Sequence, residues 1–141
     1  MLTTEDINAY KKLNVRGKNV LDAGAYIGDT AKLFLDWGAK TVFCVEIDPD
    51  SARKIKLPHT LVFVEKFNKK HLDLPWDVLK MDIEHYELDA LPLIKDDKRS
   101  MVIEVHNFFI LKQFEDAGFR RLTGIMSPAG LCIVGKNLEG D

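Results

Sequence analysis

The segment Asp22-Ala-Gly-Ala-Tyr-Ile-Gly28 combines residue types that can hold a small ligand against the protein backbone. Gly24 permits a close approach between backbone and ligand, and Gly28 permits a helix to pack closely on the preceding strand. Glu46 follows Asp22 by 24 positions, a spacing at which an acidic side chain can accept both hydroxyls of a ribose. An ordinary strand-to-helix turn also uses glycines, so it is Glu46 that favours a ribose-containing cofactor.

The charges in this segment separate the possible cofactors. A dinucleotide places its pyrophosphate at the helix N-terminus and requires the pattern G-x-G-x-x-G, which is incomplete in this sequence. Asp22 and Asp29 also put negative charge where a phosphate would lie. S-adenosylmethionine (SAM) has no phosphate and carries an ammonium and a sulfonium group, both of which favour nearby carboxylates. We therefore predict a SAM site rather than a nicotinamide site, and we interpret Asp29 as the N-cap of the next helix.

A second group of chemically capable residues follows the predicted fourth and fifth strands. Methyl transfer requires alignment of the acceptor with the methyl group and removal of the acceptor's proton. We predict Asp82, Glu104 and His106 as catalytic residues. A carboxylate inside an apolar strand, as at Glu104, needs a partner or a ligand, and His106 could be a general base with a near-neutral pKa. Asp82 could instead cap a helix, His106 could be an exposed side chain, and Glu84 and Glu87 could complement a helix dipole.

These strand ends also offer ligands for a metal ion. Asp82 with Glu104, His106 or Asn107 would present the hard ligand atoms that Mg²⁺ prefers. The spacing of these residues is not diagnostic of a metal site, and we assign none of them as a metal ligand.

The elements that must position these residues alternate between strands and helices. The predicted strands comprise residues 19–23, 41–46, 61–65, 76–81 and 101–105, with a terminal hairpin of residues 121–126 and 131–135. The predicted helices comprise residues 4–13, 30–37, 84–91 and 108–117, and one more that starts at Asp48-Pro49. Thr3 and Asp6 form a capping box before the first helix. Residues 66–75 are predicted to form a polar loop. This alternation predicts a doubly wound α/β sheet that binds its ligand beyond the carboxyl ends of the strands.

Three motifs in this order resemble the class I SAM-dependent methyltransferases, and more narrowly the FkbM-type family. The first is the glycine segment, in which Tyr26 stands where asparagine is usual. The second is Asp77-Val-Leu-Lys-Met-Asp-Ile-Glu-His-Tyr-Glu87, similar to a strand ending in D-x-E-G-x-E, with His85 in place of the glycine. The third is Met101-Val-Ile-Glu-Val-His106. The resemblance spans roughly residues 18–135 and implies a Rossmann-like sheet of about seven strands in the order 3-2-1-4-5-7-6, the last antiparallel. The helix that the family usually has between strands three and four is missing.

The resemblance also implies roles for individual residues. Gly24 and its neighbours would hold the methionine moiety, Glu46 would hold the ribose, and Glu65 or Phe67 would contact the adenine. The predicted cofactor-binding residues are Asp22, Gly24, Ala25, Tyr26, Gly28, Glu46, Ile47 and Asp82.

Composition limits the remaining possibilities. The 141 residues fit one domain, residues 1–141. With 20 basic and 22 acidic residues the net charge is −2, which does not favour nucleic-acid binding. No apolar run approaches the ~20 residues needed to span a membrane, and the N-terminus does not resemble a signal peptide. Cys44 and Cys132 lie in apolar runs without metal-site spacing, which predicts buried thiols and a cytoplasmic protein.

Three functions remain open. The first is SAM-dependent methyl transfer, most simply to an oxygen of a small or macromolecular acceptor. The second is a SAM-binding or interaction module that has lost activity, which His85 and the missing helix would favour. The third is a nucleic-acid methyltransferase. A chain of this size leaves an open cleft, which a second subunit in a homodimer could complete.

Overall fold

The computed structural model describes residues 2–84, 86–126 and 130–141. Its strands are β1 Asn19–Ala23, β2 Thr41–Val45, β3 Thr60–Phe63, β4 Val78–Met81, β5 Ser100–Val105, β6 Arg120–Arg121 and β7 Cys132–Lys136. Its helices are α1 Thr4–Lys11, α2 Asp29–Asp36, α3 Pro49–Ala52, α4 Glu87–Ile94 and α5 Phe108–Asp116, with a 3₁₀ helix at Lys69–Asp73. The strands form one sheet in the order β3-β2-β1-β4-β5-β7-β6. The predicted doubly wound fold and strand order are confirmed.

The first five strands are parallel, and β7 runs antiparallel between β5 and β6. The predicted hairpin strand 121–126 is wrong in length, because regular pairing stops at Arg121. The N–H groups of Leu122 and Thr123 both donate to the carbonyl of Ile133, so two residues oppose one and the ladder bulges. The predicted turn at Ser127, Pro128 and Ala129 lies outside the described residues.

Local backbone conformation decides where the helices begin. Thr3 and Asp6 form the predicted capping box, and the Asp48 side chain accepts hydrogen bonds at the start of α3. The prediction that Asp29 is an N-cap is wrong. Gly28 occupies that position with a φ of +99°, which places Asp29 inside the first turn of α2. The predicted helix from residue 84 instead begins at Glu87, since Glu84 has a left-handed φ of +37°.

The connection between β3 and β4 contains no α-helix, and all of its residues are described. The prediction of a simple polar loop is nevertheless incomplete, because the connection forms a 3₁₀ helix. The Asn68 side chain accepts from the N–H of Lys70, and His71 Nδ1 accepts from the N–H of Asn68. His71 is buried and stacks on Phe67 at a ring-centroid distance of 5.6 Å.

Both faces of the sheet are covered, so successive residues of each central strand pack into different halves of the core. Val20, Val78 and Val102 pack with α1 and α2 on one face. Leu21, Leu79 and Ile103 pack with α4 and α5 on the other. This explains the near-continuous apolar runs of the parallel strands. Cys44 and Cys132 are buried free thiols, as predicted. None of the described helices has the length and apolar character needed to cross a membrane.

A buried ion pair crosses from β4 to β1 at the carboxyl end of the sheet. The Lys80 ammonium donates to Asp22 Oδ1 at 2.9 Å and to the carbonyl of Gly24 at 2.9 Å. The Thr30 hydroxyl donates to the other oxygen of Asp22 at 2.6 Å. Lys80 and Asp22 are both buried, and their mutual attraction and hydrogen bonds offset the cost of removing two charges from water.

The substitution Lys80→Met tests this ion pair. It leaves the Asp22 carboxylate buried without its counter-ion, so we expect the free energy of unfolding to fall by about 3–5 kcal/mol. Urea denaturation measures the change. The control is Lys32→Met, which removes an exposed lysine paired with Asp36 and is expected to cost about 0.5 kcal/mol or less. Equal stability of Lys80→Met and the wild-type protein would contradict this role.

Candidate active site

A cavity of about 830 Å³ opens beyond the carboxyl ends of β1, β2 and β4. This is the position at which doubly wound sheets bind ligands. Residues from four loops line it, among them Gly24, Tyr26, Glu46, Ile47, Glu65, Phe67, Asp82 and Ile83. The loops after β1, β2, β3 and β4 thus all contribute to one cavity.

Gly24 is required by the close approach of two strand ends. Its φ is +81°, and a Cβ atom at this position would lie 1.7 Å from the carbonyl oxygen of Asp82. The N–H groups of Gly24 and Ala25 both donate to the carbonyl of Val45, at 2.8 and 3.1 Å. The glycine loop is therefore fixed to the ends of both neighbouring strands, and its backbone forms one wall of the cavity.

Glu46 is held in one orientation by the backbone. Its Oε1 accepts from the N–H of Tyr26 at 2.7 Å, and its Oε2 accepts from the N–H of Asp48 at 2.9 Å. Tyr26 reaches this position with a left-handed φ of +52°. Each carboxylate oxygen retains a further lone pair, so Glu46 can accept two more hydrogen bonds from a ligand in the cavity.

Three of the predicted cofactor residues lie behind the cavity surface. Asp22 is 0% exposed, and its oxygens are bonded to Lys80 and Thr30. Ala25 is buried, and Gly28 packs against the side chain of Ile55 with the N-cap conformation of α2. In the structure these residues shape the loop that Gly24 and Tyr26 present to the cavity.

Part of the cavity lining is apolar. Ile47 is 54% exposed, and Ile83 and Phe67 also line the cavity. Glu65 lies beside them and faces His71 Nε2 at 3.6 Å. This part of the lining therefore combines apolar side chains with one carboxylate, a surface suited to a flat heterocycle with polar edges.

The three predicted catalytic residues are brought together at the ends of β4 and β5. His106 Nε2 lies 3.2 Å from Asp82 Oδ1, and a carboxyl oxygen of Glu104 lies within 4.8 Å of both residues. A fourth residue joins them, because His106 Nδ1 contacts Oε1 of Glu87 on α4. Strand β5, helix α4 and the loops after β4 and β5 thus build one cluster of three carboxyl groups around an imidazole.

The cluster separates the proton affinities of its members. Although burial opposes ionisation, hydrogen bonds from His106 and Glu104 hold the pKa of Asp82 at about 2. Burial, together with the adjacent Asp82 carboxylate, raises the pKa of Glu104 to about 8. Burial also disfavours charge on His106, but Asp82 and Glu87 outweigh it and raise its pKa to about 10. The near-neutral pKa expected for His106 is therefore wrong, since two carboxylates stabilise its charged form.

Donor atoms of Asp82, Glu104 and His106 lie within 4.8 Å of one another, close enough for one metal ion. The two ring nitrogens of His106, however, face Asp82 and Glu87, and the protonated ring has no lone pair for a metal. The geometry therefore fits a hydrogen-bonded imidazolium better than a metal centre.

Sequence reasoning missed two residues that organise the site. Lys80 lies in the middle of a short apolar strand. Since an unpaired lysine is rare there, its position in the sequence indicates a buried acidic partner. Glu87 was interpreted as a helix-dipole residue, and its contact with His106 depends on where α4 begins. His85, the departure from the family pattern, lies outside the described residues.

Comparison with solved structures shows the same fold in methyltransferases of different substrates. The ribosomal protein L11 methylase of Lactobacillus delbrueckii is 16% identical, with a TM-score of 0.67 over 90% of this chain and 74% of its own. Aeropyrum pernix fibrillarin, solved with natively bound S-adenosyl-L-methionine, is 18% identical, with a TM-score of 0.63 over 91% and 75% of the two chains. The precorrin-6y C5,15-methyltransferase of Geobacter metallireducens is 12% identical, with a TM-score of 0.70 over 96% and 88%.

No protein-family model and no curated protein sequence matches the chain. At identities this low, the likeness to the solved structures is one of fold, and it assigns the chain the Rossmann-like architecture of these methyltransferases.

The substitution Gly24→Ala tests the close contact between the two loops. The added methyl group would overlap the Asp82 carbonyl, so we expect a loss of stability of about 2–4 kcal/mol from overpacking and backbone strain. Gly17→Ala is the matched control. It shares a positive φ of +71° but has no atom within 4 Å of the added Cβ, so only the strain of about 1–2 kcal/mol remains. Equal losses in urea denaturation would show that the loops are not in contact.

The substitution Glu104→Gln tests the raised pKa. The pKa of Glu104 rises from 4.5 to about 8 on folding, so the folded protein holds this proton more tightly than the unfolded chain. The stability that Glu104 contributes is fully present below pH 4.5 and is lost as the pH rises through about 8. We therefore expect the wild-type protein to lose stability relative to Glu104→Gln as the pH rises from 5 to 8. A difference independent of pH in urea titrations would refute the raised pKa.

Proposed function

We propose that this protein is a SAM-dependent methyltransferase of the FkbM type, with the cofactor in the cavity beside Glu46. The observation that carries the proposal is the orientation of the Glu46 carboxylate. Two backbone N–H groups hold its oxygens at the cavity surface, where both can accept hydrogen bonds from hydroxyl groups. Vicinal ribose hydroxyls match this pair of acceptors.

The remaining walls of the cavity suit the other parts of SAM. Ile47, Ile83 and Phe67 would enclose the adenine, and Glu65 would accept a hydrogen bond from its amino group. The backbone at Gly24 and Tyr26 would lie against the methionine moiety. When bound, SAM supplies a methyl group on a positively charged sulfur, which the ionised Asp82 at the edge of the cavity would favour.

A nicotinamide dinucleotide suits this loop less well. Asp29 occupies the first turn of α2, so its carboxylate lies where a pyrophosphate would need positive charge. The buried Lys80 ammonium is already used by Asp22 and Gly24 and does not line the cavity. At the glycine loop, the electrostatics therefore favour a ligand without phosphate.

The cluster at the ends of β4 and β5 supports transfer rather than binding alone. Glu104, once ionised, would take the proton of the acceptor hydroxyl as the new bond to the methyl carbon forms. SAM bound beside Glu46 would supply that methyl group, and the electron pair of the broken carbon–sulfur bond would stay on sulfur. Asp82 lines the cavity and joins the cofactor half to the acceptor half. We propose an oxygen acceptor because a hydroxyl needs such a proton acceptor.

The substitution Glu46→Gln tests the ribose contact. The amide nitrogen cannot accept a hydrogen bond, so we expect S-adenosylhomocysteine to bind roughly ten- to hundredfold more weakly. Isothermal titration calorimetry measures the affinity, with NAD⁺ as a ligand expected not to bind. The control is Glu139→Gln, which alters an exposed glutamate paired with Lys18 outside the cavity. Unchanged affinity in Glu46→Gln would refute the proposed orientation of the cofactor.

A further inference from the structure

Glu87 is a fully buried carboxylate in the first turn of a helix, where acidic side chains are usually exposed to solvent. It is the first residue of α4 and is 0% exposed. Burial of a charged carboxylate is costly unless a partner compensates it. Its Oε2 has no hydrogen-bond partner among the described residues, and its Oε1 contacts His106 Nδ1. Within the described chain, His106 is therefore the group that makes this burial tolerable.

The same histidine has a second carboxylate on its other nitrogen. His106 Nε2 faces Asp82 Oδ1 at 3.2 Å, so Glu87 and Asp82 lie on opposite edges of one ring. A carboxylate beside each ring nitrogen stabilises the protonated imidazole, which carries the positive charge and an N–H group at both nitrogens. The placement of the ring between two carboxylates thus favours its cationic form.

The charged neighbours of this cluster come from several elements. The positive charge of Lys80 on β4 lowers the pKa of Asp82, and the Glu104 carboxyl contributes to raising the pKa of Tyr10 on α1, which burial mainly raises. Lys80 is already paired with Asp22. Asp6 adds a negative charge that further disfavours ionisation of Glu104. None of these residues replaces Glu87 as a partner for the His106 ring.

We propose that Glu87 is a positioning residue that fixes His106 as a cation beside Asp82, which leaves Glu104 as the proton acceptor of the methyl transfer. The proposal rests on the proposed function for the last of these roles. Glu87 does not line the cavity, so it acts through His106. His106 keeps Asp82 ionised, and the charge of Asp82 keeps the neighbouring Glu104 carboxyl basic.

The test is a pH titration of the His106 ring nitrogens by ¹⁵N nuclear magnetic resonance in the protein without ligand. A His106→Gln variant identifies the signals. In the wild-type protein we expect both ring nitrogens to remain protonated at pH 8. Glu87→Gln should lower the proton affinity of the ring at least tenfold, because a charge-assisted hydrogen bond becomes a neutral one. Glu87→Asp, which keeps the charge, should restore part of this affinity.

Asp89→Asn is the matched control. It removes a carboxylate from the same first turn of α4, but Asp89 is exposed and pairs with Lys66, so the titration of His106 should not change. A wild-type ring that loses its proton near pH 6.5 would overturn the proposal, even if Glu87→Gln failed to fold. An unchanged titration in folded Glu87→Gln would also overturn it. Binding of S-adenosylhomocysteine by the wild-type protein is measured separately and reports on the proposed function alone.

Discussion

The buried ammonium of Lys80 is the interaction on which the arrangement of the site depends. It joins β4 to β1 through Asp22 and holds the carbonyl of Gly24 at 2.9 Å. The glycine loop is thereby fixed against the end of β4, where Gly24 leaves no space for a side chain beside Asp82. The backbone at Gly24, which lines the cofactor side of the cavity, consequently lies in direct contact with Asp82 of the catalytic cluster. A shift of the loop would displace both.

The two halves of the site use charge in different ways. On the cofactor side, Glu46 is oriented by neutral backbone N–H groups and keeps its capacity to accept further hydrogen bonds. On the acceptor side, carboxyl groups surround the His106 ring, and their mutual influence spreads the proton affinities widely. One carboxyl is held ionised and its neighbour is made basic, which is the division of roles that proton transfer requires.

Much of this architecture follows from local sequence signals. The alternation of apolar strands and capped helices was sufficient to predict a doubly wound sheet, and the resemblance to class I methyltransferases implied its strand order. Gly24 and Gly28 both adopt the left-handed conformation that glycine allows. The partners of Asp22 and His106 could not be read in this way. The contact of Asp22 with Lys80 needs the register of β1 on β4, and that of His106 with Glu87 needs the start of α4. The left-handed φ of Glu84 delays that start by three residues relative to the prediction. Such long-range pairings depend on packing, not on a local pattern.

The most direct test of the central claim is a crystal structure of the protein grown with S-adenosylhomocysteine. We predict both ribose hydroxyls within hydrogen-bond distance of the Glu46 carboxylate, the homocysteine against the backbone at Gly24, and the sulfur directed toward Asp82. Electron density for the ligand elsewhere on the protein, or an empty cavity at saturating ligand, would contradict the assignment of this cavity as the cofactor site.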